Sequence, residues 1–400
     1  MLAINLQRMK STFFSAVILL FFMSADAQSY QKIHADAIVC DTHNDIISTC
    51  IEDGYAFDQD LKGKTHSDLK RMKEGGVDVQ VFSVYCDGKQ ADPFKFANRE
   101  IDTLQAWARR NPKSMMLVTN PVELQQALAQ KKLASLIGVE GGHMIEDDLG
   151  KLEALYKRGA RYLTLTWNNN NNWATSAEYE SKNNGIIDTA SQKKGLSEFG
   201  KQVIRKMNEL GMMIDVSHVG EQTFWDAINL STKPVIASHS NAYTLCPVYR
   251  NLKDDQIKAI GKNGGVIQLN FYAAFLDSTV DKRMKAFFRD HRQERDSLTN
   301  AGNKEATAYL MKKYKTEYNA LQAPFKLLFD HMEYIIRLAG VDHVGLGGDF
   351  DGITLTPTEL TDVTKYPLIT KELVTRGYSK EDIFKIMGGN FIRVFEANQK

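Results

Sequence analysis

The chain has 400 residues, a formal net charge of +1 and 43% hydrophobic residues. This is the profile of a globular protein with room for one large domain or two smaller ones. A charge this near zero argues against a nucleic-acid or anionic-membrane partner, and no fixed-period repeat or biased tract is present.

The N-terminus stands apart. Arg8 and Lys10 precede an apolar run from Phe13 to Met23, and Ala25-Asp26-Ala27 sets small residues at the two positions a signal peptidase reads. Residues 1–27 are expected to be a secretory signal, cleaved before Gln28. The run falls short of the roughly 20 apolar residues of a bilayer span. No Cys follows it closely and the C-terminal residues carry no hydrophobic tail, so no anchor is expected after cleavage. The mature protein is expected in the periplasm or secreted. Cys40, Cys50, Cys86 and Cys246 show no C-x-x-C spacing and are read as buried or free thiols.

Eight short apolar runs follow: Ala37–Cys40, Val77–Tyr85, Ser135–Val139, Tyr162–Thr166, Met212–Val216, Val235–Ser238, Val266–Asn270 and Val344–Leu346. Each is almost uninterrupted, as suits a parallel strand covered on both faces. Helical patterns such as Phe199–Leu210 and Asp254–Ile260 lie between them. Eight alternating units predict an α/β fold, a (β/α)8 TIM barrel, as one domain over residues 28–400. Asn168–Ser197 reads as a long loop over the barrel mouth. Ala273–Ala323 reads as a charged helical excursion after the seventh strand.

The polar residues fall where these strands end. The first runs into Asp41-Thr42-His43-Asn44-Asp45, the third into Glu140-Gly141-Gly142-His143, the fifth into Ser217-His218, the sixth into His239-Ser240 and the eighth into Gly348-Asp349-Phe350-Asp351-Gly352. In a barrel these ends converge on the face that carries the active site. Imidazoles and carboxylates without thiolates suit zinc, or less selectively Mn, Fe or Co. His43 and Asp45, two apart on extended chain, point the same way. Glu140 has two oxygens and can bridge two ions, and His218 and His239 can complete the second. Two such ions share a hydroxide nucleophile, and Asp349 would take its proton to the leaving amine.

Each piece has a plainer reading. A lone His at a strand end is often structural, Glu140 could cap a helix and Asp349 could be a turn residue. The joint pattern, with apolar residues before every polar end, favours the metal site. His34, His66, His291, His331 and His343 take the structural reading, and His143 is a candidate to orient a ligand.

D-T-H-N-D, G-V-E-G-G-H, Y-L-T-L-T, D-V-S-H, A-S-H-S-N-A-Y, G-G-D-F-D-G and the ending N-F-I-R-V-F-E, in this order, resemble the renal (membrane) dipeptidase family from about Ile33 to Glu396. The resemblance implies a barrel with two Zn2+ ions that hydrolyses dipeptides, including those with a C-terminal D-residue. It implies His43 and Asp45 on the first zinc, His218 and His239 on the second, Glu140 bridging, and Asp349 as catalytic aspartate. Arg250 in C-P-V-Y-R-N corresponds to the arginine that binds the substrate carboxylate, a contact whose fork geometry demands a free C-terminus. A homodimer is implied as well.

The sequence departs from the animal enzymes in two ways. Trp167, followed by Asn168, stands where they carry a His thought to stabilise the tetrahedral intermediate. An indole N–H donates one bond but carries no charge, so Trp167 or a nearby Asn would supply the contact, or the substrate differs. Cys86 and Cys246 match half-cystines whose partners are missing here. Two other readings stay open: a metal-dependent amidohydrolase of a lactone, N-acyl amino acid or cyclic amide, and a binding protein on an inactive hydrolase scaffold.

Overall fold

The structure is a computed structural model that describes residues 30–182, 194–303 and 306–399. The expected signal segment and its cleavage point lie outside the described residues. No described helix is long and apolar enough to cross a membrane.

Eight strands form the frame: β1 Val39–Asp41, β2 Val77–Tyr85, β3 Leu133–Glu140, β4 Ala160–Thr164, β5 Met213–Asp215, β6 Ile236–Ala237, β7 Val266–Leu269 and β8 Val344–Leu346. Each pairs in parallel with the next in chain order. The Thr42 N–H donates to the Leu346 carbonyl at 3.1 Å, and Asn44 pairs in parallel with Phe350. These contacts bring β8 back against β1 and make the sheet a (β/α)8 TIM barrel. The eight apolar runs read from the sequence are these eight strands. A further strand, Met115–Leu117, pairs with β3 outside the ring; three residues carry too little periodicity to be seen in the sequence.

Every residue of β3 is buried, as its unbroken apolar run requires. Val79 and Val81, Ala134 and Leu136, Tyr162, Met213, Ile236 and Val266 share one apolar cluster. The larger core fills the space between sheet and helices. Gly138 in β3 pairs with Tyr162 in β4. A Cβ on Gly138 would sit 1.9 Å from the Tyr162 ring, so only glycine leaves the ring its place.

Local chemistry sets the helix ends. In Glu198–Leu210 the Ser197 side chain accepts from the Gly200 N–H, and Gly211 ends the helix in the left-handed conformation at φ 80°. Between β7 and the helix Lys326–Ala339 lie the helices Ala273–Leu276, Thr279–Asp290, Arg292–Asn300, Ala306–Lys313 and Lys315–Asn319. Buried Tyr318 donates from its hydroxyl to Thr354 Oγ1 at 3.0 Å, tying this segment to the loop after β8. Of the segment 168–197, residues 177–182 are helical and 183–193 lie outside the described residues. All four cysteines are buried and unpaired.

Candidate metal centre

The ends of β1, β3, β5 and β6 bring His43, Asp45, Glu140, His218 and His239 together. Glu140 sits in the middle. Its Oε2 lies 3.3 Å from His43 Nε2, while its Oε1 lies 2.9 Å from His218 Nε2 and 3.4 Å from His239 Nε2. The two oxygens therefore face different partners. His43 Nε2 is also 3.5 Å from Asp45 Oδ2. The ligand atoms of His43, Glu140 and His239 lie within 4.8 Å of one another, as do those of His43, Asp45 and Asp349.

The other ring nitrogen of each histidine is held from behind. His43 Nδ1 lies 2.9 Å from the Tyr162 hydroxyl, which donates to the Thr42 carbonyl at 3.1 Å. His239 Nδ1 lies 2.8 Å from Ser238 Oγ, which donates to Asp215 Oδ2 at 2.6 Å. His218 Nδ1 lies 3.0 Å from Asn168 Oδ1. These chains close when Nδ1 carries the proton, so each Nε2 presents its lone pair to the centre, the arrangement metal-ligating histidines use. His218, Asp349 and Asp351 all hold left-handed backbone, φ 66°, 58° and 69°. Such non-glycine strain collects at functional sites.

Asp349 follows β8. Its Oδ2 accepts from Asn270 Nδ2 at 2.7 Å. Arg250, 4% exposed, donates to the His239 carbonyl at 3.1 Å, and its Nε has no hydrogen-bond partner. No described carboxylate forms an ion pair with it. Both residues line a cavity of about 360 Å3, together with Trp167, Asn168, Tyr85 and Glu52. Neither the Trp167 indole N–H nor the Asn168 amide nitrogen has a hydrogen-bond partner among the described residues.

A model of the membrane dipeptidase family, peptidase family M19, matches residues 27–400. The chain belongs to the membrane dipeptidase family. An uncharacterised dipeptidase of Schizosaccharomyces pombe is 32% identical over 391 residues, covering 93% of this chain and 83% of that one. Two solved structures share the fold. The probable dipeptidase PvdM from Pseudomonas aeruginosa superposes with a TM-score of 0.75 at 24% identity, covering 94% of this chain and 99% of its own. A metallopeptidase from Rhodobacter sphaeroides, solved with a phosphinate mimic of the dipeptide L-Ala-D-Ala, gives 0.72 at 24% identity, covering 90% and 99%.

The residues of this membrane dipeptidase family member fit divalent metal. His43 Nε2 and Asp45 Oδ1 are buried without hydrogen-bond partners. No Lys or Arg among the described residues forms an ion pair with Asp45, Glu140 or Asp349, and Arg250 is the guanidinium that lines the same cavity. Burial opposes ionising Glu140, but His43 and the neighbouring His218 and His239 rings hold its carboxyl well below the usual range. Burial, then Arg250, pulls His218 down to about 4, leaving a neutral imidazole able to ligate. Burial would lower His43 too, but Tyr162, Glu140 and Asp45 push it well above its ordinary value. His43 thus answers in part for a positive charge that ions would supply.

Several supporting residues escape sequence reasoning. Asp215 Oδ1 accepts from the Ser217 and Ser238 N–H groups at 3.0 and 2.8 Å, and its Oδ2 from Thr164 Oγ1 at 2.6 Å as well as from Ser238. It fixes the ends of β5 and β6 at once. Asp41 accepts from the His43 and Gly348 N–H groups at 3.0 and 2.9 Å, locking β1 to the loop after β8. His66 Nδ1 accepts from the Asp351 N–H at 3.0 Å and its own N–H donates to Asp351 Oδ1 at 2.6 Å. His143 turns away from the cluster, with Nε2 3.1 Å from the Cys86 carbonyl. The signal for the two aspartates was their period-2 spacing from the next polar residue, Asp41 to His43 and Asp215 to Ser217.

Proposed function

We propose that this protein is a two-metal dipeptidase, with zinc as the resident ion, that hydrolyses the peptide bond of dipeptides. The observation that carries the reading is the split of Glu140 between His43 on one side and His218 with His239 on the other. Two ions fit that split, Asp45 and His43 on the first and the two other histidines on the second, with Glu140 shared. Bound there, such ions supply a water of lowered pKa and polarise the scissile carbonyl.

The chain's own groups do the rest. Arg250 offers an unpaired, buried guanidinium to the substrate carboxylate, which confines the substrate to very short peptides. Asp349 receives the proton of the attacking water and passes it to the leaving amine. Burial lifts its carboxyl well above the ordinary range; the His43 charge opposes that lift, and Asp45 and Glu140 add to it. Asn270 holds one Asp349 oxygen and leaves the other for the proton. The donors for the developing oxyanion are the Trp167 indole N–H and the Asn168 amide nitrogen, which both line the cavity, while the Asn168 amide oxygen is engaged by His218. Acceptance of a C-terminal D-residue is supported by the ligand of the Rhodobacter sphaeroides relative. Residues 1–27 direct export to the periplasm or beyond.

Purified protein assayed on L-L and L-D dipeptides, with and without chelator, tests the reading. Chelator-sensitive cleavage is expected, and none on any member of the panel would overturn it. Trp167 favours one alternative, an amidohydrolase of an N-acyl amino acid, lactone or cyclic amide. Turnover of those compounds far above that of dipeptides would select it.

A further inference from the structure

We infer that Glu52 selects a basic side chain on the N-terminal residue of the substrate; the inference rests on the dipeptidase reading above. The helix Ile46–Asp53 starts immediately after Asp45 and lays Ser48, Thr49 and Glu52 along one wall of the active-site cavity. The other acids of that cavity have work already. Glu140 faces three histidines, Asp45 lies beside His43, Asp349 accepts from Asn270, and Asp351 accepts from Ser67 and the His66 N–H. Glu52 has no hydrogen bond or ion pair among the described residues, and the charges it interacts with, Asp53 and Glu100, are like charges. Burial, then Asp53, raises its carboxyl, so a cation brought to it is stabilising.

Reach decides which cation. Arg250 holds the substrate carboxylate on the wall after β6, so the N-terminal half of a dipeptide turns toward the wall after β1. Glu52 stands seven residues beyond Asp45, roughly 10 Å along the helix axis. The α-ammonium of a dipeptide lies only about 2.5 Å from the scissile carbon, too close to the metal cluster to meet Glu52. A Lys or Arg side chain on the same residue extends roughly 6 Å further and spans the gap. An aliphatic side chain of equal length gains nothing there, and an acidic one is repelled.

The test compares kcat/KM for Lys-Ala, norleucyl-Ala, Glu-Ala and Ala-Ala in the wild type, Glu52→Gln and Glu52→Lys, all metal-loaded. Wild type should favour Lys-Ala over norleucyl-Ala by about fivefold, the scale of a solvent-accessible ion pair, and through KM rather than kcat. Glu52→Gln should erase that ratio and leave Ala-Ala unchanged. Glu52→Lys should turn the preference toward Glu-Ala. No Lys-Ala preference in wild type, or an equal loss on every substrate in Glu52→Gln, overturns the inference. If wild type cleaves none of these dipeptides, the dipeptidase reading fails. Calorimetric binding of phosphinate analogues bearing Lys or norleucine at the N-terminal position then still decides the role of Glu52.

Discussion

Glu140 is the residue that joins the two halves of the centre. Glu140→Gln keeps its shape but removes the charge shared between them. Activity should fall by about a thousandfold, equivalent to ~4 kcal/mol of transition-state stabilisation, and bound metal should drop below two ions per chain by elemental analysis. Asn168 acts at one remove, through the 3.0 Å contact to His218 Nδ1. Asn168→Ala should weaken metal binding by about 10–100-fold, measured by competition with a chromogenic chelator, while the fold stays intact by circular dichroism. The convergence of His43, Asp45, Glu140, His218 and His239 was legible in the sequence because a strand end is a predictable place and His or carboxylate there is conspicuous. Asn168 was legible as a site residue, but the bond that occupies its oxygen was not, since His218 lies fifty residues away. Asp41 and Asp215 were half hidden for a related reason: the N–H two residues on is a local partner, but the Gly348 and Ser238 N–H groups they also hold belong to other strand ends and are not announced in the sequence around them.

At the scale of elements, all eight barrel strands could be read from their apolar runs, whereas the mutual fit of two of them could not. Gly138 and Tyr162 share one volume across β3 and β4, and Tyr162 in turn holds His43. Gly138→Ala should displace that ring, loosen His43 and weaken metal binding with little change in helix content, read by metal titration beside circular dichroism. His331, read from the sequence as a structural histidine, is a buried junction. Its Nδ1 accepts from the Ala242 N–H and its Nε2 lies 3.1 Å from the Leu276 carbonyl, joining the loop after β6 to the segment after β7. Burial pulls its pKa from 6.5 to about 4, the Leu276 contact opposing. Between those values the unfolded chain holds a proton that the folded protein does not. Stability from this residue is therefore complete above about pH 6.5 and is lost as pH falls toward 4, by about 3 kcal/mol in all. Denaturant melts of wild type and His331→Gln at pH 7 and pH 4.5 should show a smaller acid loss in the variant.

For the whole molecule, the cluster of His43, Asp45, Glu140, His218 and His239 is buried, and its carboxylates pair with no Lys or Arg among the described residues. Removing ions should lower the melting temperature by about 5–10 °C, and excess zinc should restore it, because a ligand that binds only the folded state stabilises by mass action. A scan with and without chelator measures this.

The contact of Thr42 with Leu346 has a kinetic consequence. It joins the first strand to the last, so Asp349 meets the cluster at the ends of β1, β3, β5 and β6 only after nearly the entire chain has been threaded into the ring. High sequence separation makes that docking slow. A nascent chain still lacking β8 already carries His43, Asp45, Glu140, His218 and His239 but not Asp349, so the proton carrier is the last piece of the centre to arrive.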